Sequence, residues 1–411
     1  MDVHAPFIHT RLSRRIVPDG SVKPHRVVFV SHDSRRLGAP ILLLDVVRAI
    51  AADPAYSASV VLHREGDLYS EFRAVAPTQT ALPRVPAWAP RYDVVRQSVA
   101  NWRVPQAIVD RAVRRHSDVD LAYLNTITLG RYARTFAALG VPILTHVHEL
   151  EYWMRNKIPS DELTEALTLS RRFIAVSEAV RHNLVDNFGV PDEKITVIHG
   201  SVAEDAPMAE VGDLREHLGI PANAQIVGGV GTLDWRKGPD LFVILAKLVA
   251  SKVLVRPVHF VWLGGDPFSR EGRELTHQVR LAGLTGRVHF VAPVSNPAPY
   301  FAMFDLFALP SREDPFPLVV LEAARASVPC VAFERGGGAA EFVRGDAGAL
   351  APYLDLTSMA NSVFGLLSDD AARCRAGAVA AGRVRADYNP QAMISRVRRA
   401  IEQTLELSVP M

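Results

Sequence analysis

Arg236 and Lys237 stand side by side in Thr232-Leu233-Asp234-Trp235-Arg236-Lys237-Gly238, between an apolar run that ends at Gly231 and an amphipathic run that starts at Asp240. A strand-to-helix loop of this kind offers backbone N–H groups, the positive end of a helix and adjacent cations, a set suited to a diphosphate. A solvated surface pair is the plain alternative. Further on, Asp314 and Glu322 flank a turn and the start of a helical pattern in Ser311-Arg312-Glu313-Asp314-Pro315-Phe316-Pro317-Leu318-Val319-Val320-Leu321-Glu322. A carboxylate inside the helix can accept both hydroxyls of a ribose, while the preceding turn presents N–H groups to phosphate or sugar. Otherwise Glu322 is a solvated helix residue. A third element, Gly336-Gly337-Gly338-Ala339-Ala340-Glu341, permits close approach of a ligand to the backbone at a helix start, or is a flexible turn.

In the first half, Leu144-Thr145-His146-Val147-His148-Glu149 places His148 and Glu149 at the carboxyl edge of a strand. His146 and His148 alternate onto one face, but no third ligand follows at a spacing that suits a metal. Gly38 and Ala39 close the loop Ser31-His32-Asp33-Ser34-Arg35-Arg36-Leu37 that follows the first apolar run, and Gly38 lets the backbone approach a ligand. Ser177 precedes a helical pattern and is either part of a segment with a role at the site or a plain N-cap for the following helix. Asp118-Val119-Asp120 spells a metal-binding DxD, yet it precedes a strand, where turn chemistry explains it.

The elements that must position these groups alternate in type. Short runs such as Val27-Val28-Phe29-Val30, Leu121-Ala122-Tyr123-Leu124 and Phe173-Ile174-Ala175-Val176 are separated by helical patterns, which means a parallel sheet covered by helices. The pattern lapses between Gly200 and Asp213, then resumes from Ile226 through Cys330-Val331-Ala332-Phe333. The expected α/β fold is therefore two doubly wound parallel-sheet domains in tandem. Ligands of such sheets sit beyond the carboxyl ends of the strands, so the cleft between the domains is the natural site.

A length of 411 residues allows each domain a full core. With 46 basic and 44 acidic side chains, the balance is too even for a protein whose main partner is nucleic acid. The 2 cysteines, Cys330 and Cys374, form no CxxC, so neither a disulfide framework nor a zinc site is encoded and a reducing compartment fits. The amino-terminal residues show no apolar secretory core, and no run has the length to cross a bilayer. Residues 1–25 read as a flexible basic arm. Between Arg84 and Arg115, Trp88, Tyr92 and Trp102 mix with Arg91, Arg96, Arg103, Arg111 and Arg114. Such a stretch suits an anionic membrane surface or a lipid-linked acceptor, and equally a solvated helix packed by its aromatics.

The order Arg-Lys-Gly, then Asp314 and Glu322 in their proline-bounded motif, then Gly-Gly-Gly-Ala-Ala-Glu resembles the retaining GT-B glycosyltransferases, in particular glycosyltransferase family 4 (group 1). The resemblance covers Arg26 to about Leu405 and is strongest from Gly229 to Gly348. It implies two Rossmann-like domains: an acceptor-binding one over 26–205, joined by a returning helix over 390–411, and a nucleotide-sugar-binding one over 206–389. It casts His148, Arg236, Lys237 and Asp314 as catalytic. Gly231, Thr232, Glu313, Pro315, Phe316, Pro317, Leu318, Glu322, Gly337 and Gly338 would hold the donor, and Gly38, Ala39 and Glu149 the acceptor. Asp314 departs from the family's usual Glu, with Glu313 beside it as a substitute, and Thr232 stands where many members carry Arg. No cofactor or metal is implied. The partners would be a nucleotide-sugar donor and a glycan or lipid-linked acceptor, with no nucleic acid, in a cytoplasmic setting or peripherally on the inner face of the membrane, serving bacterial cell-surface polysaccharide or glycolipid synthesis. The rivals are an epimerase or hydrolase of the same fold, and an inactive nucleotide-sugar-binding scaffold. A dehydrogenase is disfavoured because no GxGxxG follows the first strand.

Overall fold

The computed structural model describes residues 23–82, 105–203 and 212–406. The first domain holds a 7-stranded parallel sheet of order β3-β2-β1-β4-β5-β6-β7, and the second a 6-stranded one of order β10-β9-β8-β11-β12-β13. In chain order the strands are β1 His25–Ser31, β2 Tyr56–Leu62, β3 Thr78–Thr80, β4 Leu121–Leu124, β5 Ile143–Val147, β6 Arg172–Ala175 and β7 Ile195–Val197. The second series is β8 Gln225–Val230, β9 Val258–Leu263, β10 Val288–Val291, β11 Leu306–Leu309, β12 Cys330–Phe333 and β13 Gly348–Ala351.

Central strands carry unbroken apolar runs because helices cover both faces, so Val27, Val28, Phe29 and Val30 of β1 are all fully buried. In each sheet the order turns back beside the first strand, between β1 and β4 and between β8 and β11. That reversal parts the strand-end loops and opens a crevice at the carboxyl edge.

The returning helix Pro390–Glu406 belongs to the first domain's packing, with Met393, Val397, Ala400, Ile401 and Leu405 in one core with Val27, Phe29 and Leu43. Strands β3 and β13 stand outside the sequence expectation: three-residue Thr-Gln-Thr and small-residue Gly-Ala-Leu-Ala lack the apolar runs that mark the others. The Asp118/Asp120 turn is structural, since Asp120 accepts from the Arg26 amide at 2.9 Å and Asp118 pairs with the Arg26 guanidinium. Most of the basic–aromatic stretch and of the amino-terminal arm, and part of the expected linker, lie outside the described residues. No helix among the described residues is long and apolar enough to cross a membrane.

Candidate active site in the interdomain cleft

The strand-end loops of both sheets meet around a cavity of about 450 Å³. From the second domain it is lined by Arg236, Lys237 and the turn from Glu313 to Val319. Gly238 makes this meeting possible. It adopts a left-handed conformation, φ 71°, and a side chain there would come within 2.3 Å of the Pro310 carbonyl oxygen. Pro239 then opens the helix Pro239–Ala250 with its fixed φ. The loop before Gly238 is thereby pressed onto the loop after β11, and the Arg236 carbonyl accepts from the Arg312 amide at 2.8 Å.

Lys237 Nζ lies 2.6 Å from one carboxylate oxygen of Asp314, and Arg236 lies 3.5 Å from the other. Arg236 also donates to the Glu313 carbonyl at 2.9 Å. The cations thus converge on the start of the helix Leu318–Arg325, where Pro317 as N-cap offers no capping side chain. Among the described residues the Phe316, Leu318 and Val319 amides find no partner, leaving donors beside two cations.

The glycine triplet acts on Asp314. Gly337 (φ 120°) forms a parallel bridge with Asp314, and a Cβ on Gly337 would sit 1.9 Å from the Asp314 carbonyl oxygen. Asp314 donates its amide to Gly336 at 2.7 Å and accepts from Gly338 at 3.1 Å. The close approach read from three glycines is therefore to this backbone, and neither Gly337 nor Gly338 lines the cavity.

The first domain's wall is formed by His32, Arg35, Gly38, Ala39, Thr126, Thr128, His148, Glu149 and Trp153, among others. His148, just past β5, is part-buried, its buried Nε2 has no partner, and its ring centroid is 4.2 Å from that of His146. Burial, joined by the neighbouring His146 and His32, pulls the His148 pKa well below the ordinary value. Burial alone takes His146 down to about 3, with its Nδ1 2.7 Å from the Tyr123 hydroxyl. Glu149 is pushed up to about 7 by burial, against the pull of the Thr126 hydroxyl and the His148 and Ile127 amides. The His148 amide donates to Glu149 at 2.9 Å, so the carboxyl fixes the backbone that presents the imidazole.

Of the residues expected at the site, Gly38, Ala39, His148, Glu149, Arg236, Lys237 and Glu313 through Leu318 share this cavity. Gly231, Thr232 and Glu322 stand outside its lining. Gly231 packs on the Lys237 stem, where an added Cβ would be 3.2 Å from Cγ and Cδ, and Thr232 donates to Asp234. Glu322 lies on the Leu318–Arg325 helix, and burial raises its pKa to about 7. Sequence reasoning passed over His32, Thr126 and Thr128; each follows a strand of the first sheet, and the rule that singled out His148 applies to them equally.

Across the cleft Glu313 accepts from the Tyr152 amide at 2.9 Å, at the start of the helix Glu151–Lys157. Glu341 accepts from the Glu178 and Ala179 amides at 2.9 Å each and pairs with His199 Nε2 at 2.8 Å. Ser177 caps the same turn, accepting from the Val180 amide at 3.1 Å. Leu318 reaches over to the first domain, where a Cβ on Gly200 would meet it at 2.6 Å.

Two family descriptions match this chain in succession, "Glycosyltransferase Family 4" over residues 38–205 and "Glycosyl transferases group 1" over 224–369, together most of its length. The chain belongs to the family 4, group 1 glycosyltransferases. Among its relatives, the chain is 31% identical over 250 residues to the D-inositol 3-phosphate glycosyltransferase of Kineococcus radiotolerans, covering 56% of this chain and 58% of that one. It is 32% identical over 161 residues to the alpha-galactosylglucosyldiacylglycerol synthase of Streptococcus pneumoniae, covering 34% and 38% respectively. The matched stretch thus spans little more than half, or less, of these relatives. In fold it is similar to Anabaena HepE, solved with UDP, at TM-score 0.75 and 21% identity over 92% of this chain and 100% of that one. It is also similar to the sucrose-phosphate synthase of Thermosynechococcus elongatus, at TM-score 0.71 and 19% identity over 93% and 100%. The chain has the GT-B arrangement of two facing parallel-sheet domains. Among its described residues no group of three or more His, Cys, Asp or Glu side chains could hold a metal ion.

Proposed function

We propose that this protein is a retaining glycosyltransferase that moves a sugar from a nucleotide-diphosphate donor to a glycan or lipid-linked acceptor, without a metal. The observation that carries the reading is the convergence of Lys237 and Arg236 on Asp314 beside the partner-free amides of Phe316, Leu318 and Val319, with His148 and Glu149 in the same cavity. A diphosphate entering there would exchange the Asp314 carboxylate for its own oxygens. As the bond to the sugar breaks, negative charge grows on the leaving phosphate, and cations already aimed at that point stabilise it without reorganisation. Neutral His148 offers the transferred sugar a hydrogen-bond partner, and the acceptor hydroxyl attacks from the face the phosphate leaves, giving it the proton. Closure of the domains excludes water and limits hydrolysis. Glu322, one turn farther in, takes the ribose hydroxyls.

A cytoplasmic setting accompanies this reading, supported by the free cysteines Cys330 and Cys374. Work on cell-surface polysaccharide or glycolipid and peripheral membrane contact are parts of the same proposal. Liposome flotation with anionic lipid tests the contact, and absence of binding removes it.

The first experiment incubates the protein with UDP-, GDP- and ADP-sugars and measures released nucleoside diphosphate. Release from one donor class is expected, with Lys237→Ala lowering kcat by about 100-fold or more. Silence across the panel without a donor-induced thermal shift would replace the transferase with an inactive scaffold. Product analysis separates transfer from hydrolysis or epimerisation.

A further inference from the structure

The amides that would meet the donor's phosphates need a fixed backbone, yet the turn that carries them has little hydrogen bonding of its own. The Pro315 carbonyl accepts from the Gly338 amide at 3.1 Å. Beyond it Pro315 and Pro317 have no N–H, and the Phe316 amide between them finds no partner among the described residues. The Phe316 side chain holds the turn instead. Its ring stacks on that of Tyr388, with centroids 5.8 Å apart and an interplanar angle of 13°, and tilts against His199 at 5.0 Å. His199 and Tyr388 are themselves 5.4 Å apart, and Phe342 meets Tyr388 in a T-shaped contact at 5.2 Å. A Cβ on Gly338 would lie 2.8 Å from Phe316 Cδ2, so the ring is enclosed on that side as well.

Tyr388 can fix this ring because its own place is set from several directions. It is 4% exposed and follows the helix Asp370–Asp387, with its amide donating to the Val384 carbonyl at 3.0 Å. The returning helix Pro390–Glu406 begins two residues later, so Tyr388 stands where the chain crosses back to the first domain. Its carbonyl accepts from the Val202 amide at 3.2 Å, which ties it to the segment that leaves that domain after β7. Phe316 in turn packs against the apolar cores of both domains. We infer that Tyr388 is a positioning residue for the transfer: through the face of Phe316 it holds the donor-facing turn at the junction of the domains. The amides of Phe316, Leu318 and Val319 are then set for the phosphates before the donor arrives. The inference rests on the donor reading above. A turn released from the stack would occupy its binding position only part of the time, and the apparent affinity would fall by that fraction.

The test uses the full chain and the nucleoside diphosphate, among UDP, GDP and ADP, that binds the parent in calorimetry. In Tyr388→Leu its Kd should rise by about tenfold, the scale of one aromatic pair, with kcat/KM for the matching donor falling alike. Tyr388→Phe keeps the ring face and should stay within about twofold of the parent. Phe316→Leu should weaken binding as Tyr388→Leu does, and adding Tyr388→Leu to it should change Kd by no more than about twofold, because the stacking partner is already gone. A tyrosine that serves only the core would lower the unfolding midpoint and leave Kd unmoved, or would show its full effect again in the Phe316→Leu background. Either result overturns the inference and leaves the transferase intact, as does a loss in Tyr388→Phe equal to that in Tyr388→Leu. Should Tyr388→Leu fail to fold, Tyr388→Met fills the space without a flat face and carries the same cycle. A parent that binds none of the three nucleotides and releases none from their sugars overturns this inference and the donor reading together.

Discussion

On the first domain's side of the cleft, His32 and His148 are drained of charge by burial, whereas on the second domain's side Arg236 and Lys237 bring their cations to a single carboxylate. The difference follows from what stands beside each group. The imidazoles lie in the loops after β1 and β5, where burial penalises the charged form and Asp33, 3.6 Å from His32, offsets only part of that cost. The cations share the Asp314 carboxylate against a helix start, a place that, in the proposed function, the donor's phosphate would take. In the proposed function, uncharged imidazoles on this wall would hydrogen-bond the sugar while the opposite cations take the phosphate.

The sharpest way to break this contrast is to dislodge Asp314. In Gly337→Val the new Cβ would lie 1.9 Å from the Asp314 carbonyl oxygen, on a residue whose φ of 120° side chains avoid. The strand-like bridge between these residues would part. The expected loss is about 3 kcal/mol or more of stability, read by denaturant unfolding, together with loss of nucleoside diphosphate release. Retention of full stability would show that the glycine triplet does not set the Asp314 position.

How far such contacts can be read from the sequence varies with their range. The apolar runs of β1, β4 and β12 announce buried parallel strands, and the Arg-Lys-Gly loop announces itself by charge and a following helix. Gly337 was legible as a close approach but its neighbour was not, because the demand for space is local and the group filling that space comes from another loop. The same holds for Glu313 on Tyr152, 161 residues away, and Glu341 on Glu178, 163 residues away. Nothing in a carboxylate's own surroundings tells which helix end it will cap. Strands as short as Thr78–Thr80 escape for a different reason: they add to a sheet edge already built, and need no apolar run of their own.

A middle-sized effect tests whether Glu322 joins the cationic wall's work. Burial lifts its pKa to about 7, so in the empty protein it is largely protonated at pH 6 and ionised at pH 8. Ribose hydroxyls donate to the ionised form, hence donor affinity should rise by about tenfold from pH 6 to pH 8, and Glu322→Gln should flatten that rise. The stability consequence has the opposite direction. A raised native pKa means that the native state binds protons more tightly, so the contribution is present at acid pH and is lost as pH climbs through about 7. Glu322→Gln should therefore gain on the parent between pH 5 and pH 8, by no more than about 3 kcal/mol. A calorimetric pH series checks both directions, and parallel curves would remove Glu322 from the titration.

The smallest expected effect concerns how the two walls are kept facing each other. Glu341 satisfies two first-turn amides of the helix Glu178–His182 and His199, all groups of the opposite domain, from the helix Ala339–Val343 of its own. Glu341→Ala would leave these donors to water in a part-buried seam, costing about 1–2 kcal/mol of closure. Ser177 stays on the Val180 amide, so the capped helix should survive and the loss should fall on the domain contact. Small-angle scattering should then show a larger radius of gyration for the variant at unchanged helix content, with KM for donor raised more than kcat is lowered, since an open cleft must close before either wall engages. An unchanged radius would mean that Glu313 on Tyr152 and Leu318 against Gly200 hold the seam without Glu341, placing the closing force on the cationic turn itself.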